Sequence, residues 1–190
     1  MKRVFFLLIA CVPILSFAQE SKLTHYIDYS AGYTYRAKMS GLEMQLQYGL
    51  GVVKHFDVVF ALNSKWGVNT QLPYRNHIEV GDKLFITSGI SVGGRAYCDF
   101  AKICTARLSL LYGVNYTFWE RGWENELFSG CSAVGIFSHC FDGKAELLFR
   151  VSPKTRLGLY YDYTLMLGKK SGGYRANIHS AGIAVSTKLN

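Results

Sequence analysis

Apolar and polar residues alternate one by one along nearly the whole chain after its first two dozen residues. One parity of the first such segment is apolar or aromatic: Ile27, Tyr29, Ala31, Tyr33 and Tyr35. The other parity, which includes Asp28, Thr34 and Arg36, is polar or small. A period of two places these sets on opposite faces of a β-strand, whereas the helical period of about 3.6 would mix them. The pattern therefore predicts a strand.

Seven further segments repeat this alternation, which predicts eight strands in all. Their apolar parities run through 42–52, 58–68, 84–96, 106–118, 145–151, 157–165 and 181–189. Strands in soluble sheets average about 5–6 residues. Most of the segments here approach or exceed ten residues, and a tilted strand needs about 9–11 residues to cross a bilayer. The lengths favour strands that span a membrane.

The predicted connectors alternate in length. Tight turns are expected at 53–56, 100–102 and 152–154, and longer loops at 69–76, 119–142 and 168–174, with a short first connector at 38–41. Aromatic residues close the odd strands before the outer connectors: Tyr33, Tyr35, Trp66, Tyr116 and Phe118. An even strand number, short turns on one side and an aromatic girdle are typical of outer-membrane barrels.

With these features the chain resembles the small eight-stranded outer-membrane barrels of the OmpA/OmpX-like group. The resemblance is architectural and covers everything after the leader. It implies an all-β, antiparallel, up-and-down transmembrane barrel in the outer membrane of a Gram-negative bacterium. The expected role is structural, or surface interaction and adhesion through outer loops. The chain departs from the group at its end, because Asn190 stands where such barrels usually carry an aromatic residue.

A secreted, lipocalin-like barrel with an apolar ligand cavity is the alternative fold. It inverts every strand, so that the charged parity would face water and the apolar parity would line the cavity. Only 18% of the residues are charged, whereas a soluble surface usually carries about 25–35% charged residues. The composition favours the membrane barrel.

The first residues have the pattern of a secretory leader. Lys2 and Arg3 precede an apolar run over 4–17, and small residues lead to a cleavage site after Ala18. We expect residues 1–18 to be removed and residues 19–190 to form the barrel domain. Lipoprotein processing before Cys11 is the alternative, and it would leave apolar residues on the mature chain.

The polar parities carry charges that the membrane barrel would enclose. The predicted lumen network consists of Asp28, Glu43, Lys65, Arg95, Arg107, Glu146, Arg150 and Asp162, with Arg36 and Arg156 on the same parities. Eight strands enclose a space that side chains just fill, and buried charges need partners. A packed, charge-paired interior is expected. A narrow conductance lined by basic residues is the alternative, and the strand number excludes a wide porin channel.

Four cysteines follow the leader: Cys98, Cys104, Cys131 and Cys140. An even number in an exported chain favours disulfides. The pairs Cys98–Cys104 and Cys131–Cys140 require the shortest closures. Unpaired thiols are one alternative. Metal binding is the other, but no ligand spacing supports it, so no metal or cofactor is expected.

The long connector 119–142 is the predicted interaction site. Aromatic residues beside charges are typical of binding surfaces, and the candidates here are Trp119, Arg121, Trp123 and Phe128. An extracellular protein or glycan is the expected partner. The other interpretation is that residues 134–137 extend the barrel above the membrane or fold into its mouth as a plug. Basic residues of other loops are candidates for contact with lipopolysaccharide: Arg75, Lys169, Lys170 and Arg175.

No catalytic constellation is predicted. Some barrels of this size modify lipid A, which makes an enzyme the alternative function. His179 and Ser180 are adjacent and therefore lie on opposite strand faces, which denies them hydrogen-bond reach. Scattered positive charge in an exported chain excludes nucleic acid as a partner, and a monomer is expected.

Overall fold

The structure is a computed structural model that describes residues 23–36, 39–69, 74–75, 78–100, 103–124, 129–167 and 177–189. At 74–75, 78–83, 121–124, 129–132 and 134 it describes the backbone. The leader, whose cleavage remains a prediction, lies outside these residues. Within them, no helix is long and apolar enough to span a membrane.

The alternating segments form long β-strands. The strands are β1 Thr24–Arg36, β2 Met39–Val53, β3 Phe56–Val68, β4 Tyr74–Arg75, β5 Ile78–Phe100, β6 Cys104–Glu124, β7 Ser129–Arg150, β8 Thr155–Leu167 and β9 Ile178–Lys188. The two-residue strand β4 pairs only with the first residues of β5. The other eight strands are the staves of a barrel.

Each stave pairs antiparallel with its chain neighbours, and the first pairs with the last. β3 pairs with β5 across the third connector, while β1 and β9 close the ring through pairs such as Tyr33↔Ala181. Closure leaves no unpaired edge along the spanning part of the sheet. The predicted eight-stranded up-and-down barrel is confirmed.

The two faces of the barrel have opposite chemistry. Large apolar side chains stand exposed on the outside, among them Ile90, Leu108, Leu110, Leu159 and Ile183. Charged and amide side chains are buried on the inside. An apolar exterior of this extent requires lipid as its solvent. The lipocalin-like alternative, which needs the reverse arrangement, is therefore wrong.

The short connector between β1 and β2 lies at one end of the barrel, whereas the short turns that join β2 to β3, β5 to β6 and β7 to β8 lie at the other end, which we call the turn end. Strands β2 and β3 meet there through Lys54 and His55, and residues 151–154 join β7 to β8. Both ends of the described chain lie here too, because the Leu189 amide donates to the His25 carbonyl at 2.9 Å. Short turns face the periplasm in barrels of this type, so the opposite end, the outer end, faces out of the cell.

The predicted long connector 119–142 is wrong in its boundaries. β6 continues to Glu124 and β7 begins at Ser129, and their pairing runs unbroken from Cys104↔Phe149 to Glu124↔Ser129. Outside the membrane neither strand face needs to be apolar, so the alternation that marks a spanning strand disappears while the hydrogen-bonded ladder continues. Residues 134–137 pair with residues 116–119 in this ladder, so the interpretation in which they extend the barrel is the one observed.

Candidate functional site

Two features could carry function: the filled interior and the part of the sheet that projects at the outer end. The interior is built in layers along the barrel axis. The layer nearest the turn end, the inner ionic cluster, consists of Asp28, Asp57, Arg95 and Arg107. All four side chains are buried.

Arg95 is the centre of the inner ionic cluster. Its Nε and Nη2 donate to Asp57 Oδ2 at 2.9 and 2.7 Å, and its Nη1 donates to Asp28. Arg107 Nη1 donates to Asp28 Oδ1 at 3.1 Å. The Tyr26 ring lies against both guanidinium groups, 5.8 and 5.6 Å from their carbons. Each charge in the layer has a partner of opposite sign, as burial in low dielectric demands.

A second layer, the middle ionic cluster, surrounds Lys65. Its ammonium Nζ lies 3.0 Å from Glu43 Oε1 and 2.5 Å from Asp162 Oδ1. It also donates to Thr164 Oγ1 at 2.7 Å, and Thr164 donates to Asp142 Oδ1 at 2.6 Å. This layer joins β2, β3, β7 and β8, which are strands from opposite sides of the barrel. It therefore acts as a cross-brace.

Lys144 braces the barrel between these two clusters. Its Nζ donates to Ser30 Oγ at 2.9 Å and lies 2.9 Å from Glu146 Oε1. Glu146 in turn lies 3.8 Å from Arg107. The Tyr160 ring lies 4.8 Å from Lys144 Nζ, and its hydroxyl donates to Glu43 Oε2 at 2.8 Å, which connects this brace to the middle ionic cluster.

An apolar layer, the outer cap, closes the interior near the outer end. It contains the buried side chains of Met39, Phe85, Trp119 and Ile178. The Arg36 guanidinium lies 5.3 Å from the Phe85 ring centre and 4.7 Å from that of Trp119. Cation–π contacts of this kind strengthen when water is excluded.

Glycines make room for these bulky interior groups. A Cβ at Gly49 would overlap the Arg95 guanidinium, and one at Gly67 would overlap the Phe85 ring. Glycines of the barrel wall thus lie against the largest interior side chains. Close packing of the lumen depends on this matching of small and large residues.

The structure brings together seven members of the predicted lumen network and excludes one. Asp28, Glu43, Lys65, Arg95, Arg107, Glu146 and Asp162 are all buried and ion-paired. Arg150 is exposed instead. It has the interior parity, but it lies at the last residue of β7, where the barrel wall no longer encloses it. Its assignment to the buried network is corrected.

Sequence reasoning left three interior charges out of the network: Asp57, Asp142 and Lys144. Parity could have found all three, since each lies two residues, or a multiple of two, from a predicted member of the network on the same strand. Asp142 was missed because it was assigned to the end of a loop.

The predicted disulfides are not formed: Cys98, Cys104 and Cys140 are free. Cys98 lies opposite Ala106 and Cys104 opposite Phe100, so the two are diagonal neighbours. Diagonal Cα atoms lie about 7–8 Å apart, beyond the distance a disulfide usually bridges.

The pairing of Cys131 with Cys140 is excluded by strand geometry. Both residues lie on β7, nine residues apart. At about 3.3 Å per residue, one extended strand holds them about 30 Å apart. The error followed from placing both cysteines in a loop.

The second feature, which we call the outer extension, consists of residues 78–83 of β5, 121–124 of β6 and 129–138 of β7. The neighbouring staves end earlier: β3 reaches only Val68, opposite Leu84, and β8 reaches only Leu167, opposite His139. Six residues of β5 therefore project past β3, which is about 20 Å of strand. These three adjacent strands form a small antiparallel sheet that projects beyond the barrel wall.

The predicted interaction residues occupy different places. The assignment of Trp119 to the interaction site is corrected, because this side chain is 5% exposed and packs in the outer cap. Arg121 and Trp123 lie on the outer extension, in register with Ser132 and Gly130. Phe128 lies outside the described residues, as do Lys169, Lys170 and Arg175, and Arg75 belongs to the two-residue strand β4.

His179 and Ser180 lie on opposite faces of β9. His179 is exposed on the barrel exterior, where its Nδ1 lies 2.6 Å from the Tyr161 hydroxyl. Ser180 is buried in the lumen and donates to Thr34 Oγ1 at 3.0 Å. Among the described residues, no three His, Cys, Asp or Glu side chains are grouped to hold a metal ion.

Comparison with models of known protein families finds no match, and comparison with curated proteins finds none either. Solved structures do match. Neisserial surface protein A superposes with a TM-score of 0.64 at 13% identity, over 89% of this chain and 100% of that chain. A major outer membrane protein from Thermus thermophilus gives 0.57 at 9% identity, over 89% and 100%.

Ail, the attachment invasion locus protein of Yersinia pestis, matches in its complex with the heparin analogue sucrose octasulfate. The TM-score is 0.50 at 12% identity, over 88% of this chain and 97% of that chain. At such identities the likeness is one of fold. The predicted resemblance to small outer-membrane barrels is confirmed at that level, and this fold and its lipid-facing exterior are those of a protein of the Gram-negative outer membrane.

Proposed function

We propose that the barrel is a sealed membrane anchor that presents its outer extension to an extracellular protein or glycan. The observation that carries the proposal is the projection of β5, β6 and β7 beyond the ends of β3 and β8. β5, β6 and β7 are longer than a strand needs to be to span the membrane. A projecting three-stranded sheet held by a rigid barrel is a suitable platform for binding.

The filled lumen supports anchoring over transport. Two ionic clusters and the outer cap occupy the interior in sequence along the axis. Moving solute past them would separate buried charge pairs, and removing one partner of such a pair costs about 3–5 kcal/mol.

Ail supports a glycan as one class of partner, because it was crystallised with a heparin analogue. Such a ligand is a densely sulfated sugar. Arg121 lies on the outer extension here and could meet sulfate groups through paired N–H donors. Sulfated glycans are therefore suitable first probes for this chain.

Shortening of the outer extension tests the proposal. Glu120 and Ala133 are register partners, so residues 121–132 can be replaced by Asn-Gly, the preferred two-residue hairpin turn. A triple variant, Arg121→Ala with Trp123→Ala and Phe128→Ala, removes the candidate side chains. Trp66→Ala is the matched control, because Trp66 is an exposed tryptophan at the outer end of β3.

Each variant is incorporated into lipid nanodiscs and applied to an array of sulfated glycans, other glycans and serum proteins. The wild-type protein and Trp66→Ala should bind at least one class, while the trimmed and triple variants lose that binding. Faster gel migration of unboiled samples shows that each barrel is folded. Equal binding by the trimmed variant, or no binding by the wild-type protein, would overturn the proposal.

We also propose that lipopolysaccharide surrounds the outer end of the barrel. Lys169, Lys170 and Arg175 in the connector between β8 and β9 could pair with its phosphates. The lipid-facing exterior provides the setting for this contact, and closure of the sheet leaves the barrel suited to be a monomer.

We propose no catalytic activity for this chain. The separation of His179 from Ser180 on opposite wall faces supports this, since a serine nucleophile needs its base within hydrogen-bond reach. Lipid A from cells that express the protein should have the same mass spectrum as lipid A from cells that lack it. A new acylation or deacylation product would contradict this.

A further inference from the structure

A small pocket lies at the turn end, where the lumen opens toward the periplasm. Its volume is about 140 Å³. Its polar lining residues are Tyr26, Arg150, Lys154, Arg156, Ser186 and Lys188. We call it the mouth pocket.

Strand register explains why these residues meet. Arg150 is the direct partner of Arg156, Arg156 is the partner of Ser186, and Lys188 is the partner of Tyr26. All five have the parity of the buried interior charges, so their side chains rim the end of the lumen. Lys154 joins them from the turn between β7 and β8.

The floor of the mouth pocket belongs to the inner ionic cluster. Ser186 Oγ accepts a hydrogen bond from Arg107 Nη2 at 2.8 Å, and the Tyr26 ring lies against Arg95 and Arg107. The pocket therefore ends on a rigid base. The two guanidinium groups beneath this base are already paired with Asp28 and Asp57, so the positive charge of the pocket comes from its own lining.

Four cations surround this small space with little compensating charge. Arg156 lies 3.3 Å from Asp99, which is partly exposed. Within the part of the chain that the structure describes, Arg150, Lys154 and Lys188 form no ion pair. Like charges directly opposite one another destabilise a sheet, and Arg150 and Arg156 are such a pair. An anion between them would remove this repulsion.

We propose that the mouth pocket binds a phosphate group. Guanidinium groups recognise phosphate oxygens through paired N–H donors, and ammonium groups add point charge. Drug-sized ligands occupy pockets of about 300–1,000 Å³, so this smaller space suits a single tetrahedral anion. The phosphate could be free in the periplasm or belong to the headgroup of an anionic phospholipid.

A lipid headgroup can reach the mouth pocket, because apolar side chains stand beside it on the exterior. Val151 is 67% exposed and Leu157 is 43% exposed. These residues belong to the same turn and strands as Arg150, Lys154 and Arg156. The rim therefore lies where the inner leaflet meets water.

Calorimetric titration of the full-length protein with inorganic phosphate tests the pocket. The protein is held in phosphatidylcholine nanodiscs, which supply no anionic lipid. The double variant Arg150→Gln with Lys188→Gln removes two cations, and Lys54→Gln is the control, because Lys54 is exposed at the same end outside the pocket. Each lost charge-assisted bond should weaken binding by about tenfold, while Lys54→Gln should bind as the wild-type protein does.

A second arm identifies the source of the phosphate. Nanodiscs containing phosphatidic acid should suppress the phosphate titration of the wild-type protein if the headgroup occupies the pocket, and leave it unchanged if free phosphate is preferred. Either result supports a phosphate site. The proposal is overturned if the wild-type protein binds phosphate no better than the double variant, or if Lys54→Gln weakens binding equally. Unboiled gel migration confirms that all variants are folded.

Discussion

At the scale of single residues, the interior charges connect strands that are distant in sequence. Lys65 on β3 contacts Glu43 on β2 and Asp162 on β8. Arg95 on β5 contacts Asp28 on β1 and Asp57 on β3. Satisfied networks of this kind hold a unique arrangement, whereas removing one member leaves an uncompensated buried charge.

Replacing Lys65 by Met should destabilise the barrel strongly. Glu43 and Asp162 would remain buried without their cation, at a cost of about 3–5 kcal/mol. Urea unfolding of the protein in lipid vesicles measures the loss. Lys54→Met, in the exposed turn between β2 and β3, should leave the unfolding midpoint unchanged. Equal midpoints for the two variants would contradict a structural role of the middle ionic cluster.

The exterior residues provide a test of depth in the membrane. Leu110 is 64% exposed halfway along the spanning part of β6, while Ile103 is 65% exposed beside the turn end. Leu110→Arg should cost about 2–4 kcal/mol and Ile103→Arg about 0–1 kcal/mol, because a charge is most costly at the bilayer midplane. Vesicle unfolding free energies compare the two. Equal costs would show that this exterior does not lie in lipid.

At the scale of elements, the staves differ in length because they meet different surroundings. β1, β3 and β8 have 13 residues each, while β5, β6 and β7 have 21 to 23. Within the membrane, lipid on one side and the polar lumen on the other impose strict alternation. In the outer extension only backbone pairing is needed, so the sequence there resembles a loop.

The barrel should tolerate shortening of the outer extension. Replacing residues 121–132 by Asn-Gly leaves every pair of the spanning strands in place, and hairpins outside the core open independently of it. The unfolding free energy should change by less than about 1 kcal/mol, and the unboiled band should still migrate faster. Loss of the fast band would show that the extension is part of the folding unit.

At the scale of the whole molecule, closure turns eight strands that are separately marginal into one unit with a filled lumen. The inner ionic cluster, the middle ionic cluster and the outer cap each contain residues from several staves. Val59, Ala61 and Leu111 form one further buried group and Leu148, Tyr160 and Ala184 another. The lumen is thus occupied along its length by polar and apolar layers.

The sealed lumen should not conduct ions. Wild-type protein in a planar bilayer should give no current steps, with a large porin as the positive control. Trp119→Ala should also be silent, because it opens the outer cap but leaves both ionic clusters across the lumen. Stable current steps from the wild-type protein would contradict the sealed-anchor interpretation.

The local alternation of residues determined the existence of the eight strands and the direction of their faces. This prediction succeeded because successive side chains on a strand point to opposite sides whatever its neighbours are. The tight turns were predicted for a similar reason, since the pattern stops where a spanning strand ends. The error in 119–142 shows the limit, because the pattern also stops where a strand leaves the membrane and continues.

Register and closure, which depend on the whole sheet, decided which residues contact one another across the lumen. Parity indicated that Lys65 faces inward, but only the closed ring brings Asp162, 97 residues away, to its ammonium group. Trp119 has interior parity too, yet its place beside Arg36 required the curvature of the barrel. The diagonal offset of Cys98 and Cys104, the exposure of Arg150 and the mouth pocket follow in the same way. Parity is a property of one strand, whereas a contact across the lumen is a property of all eight.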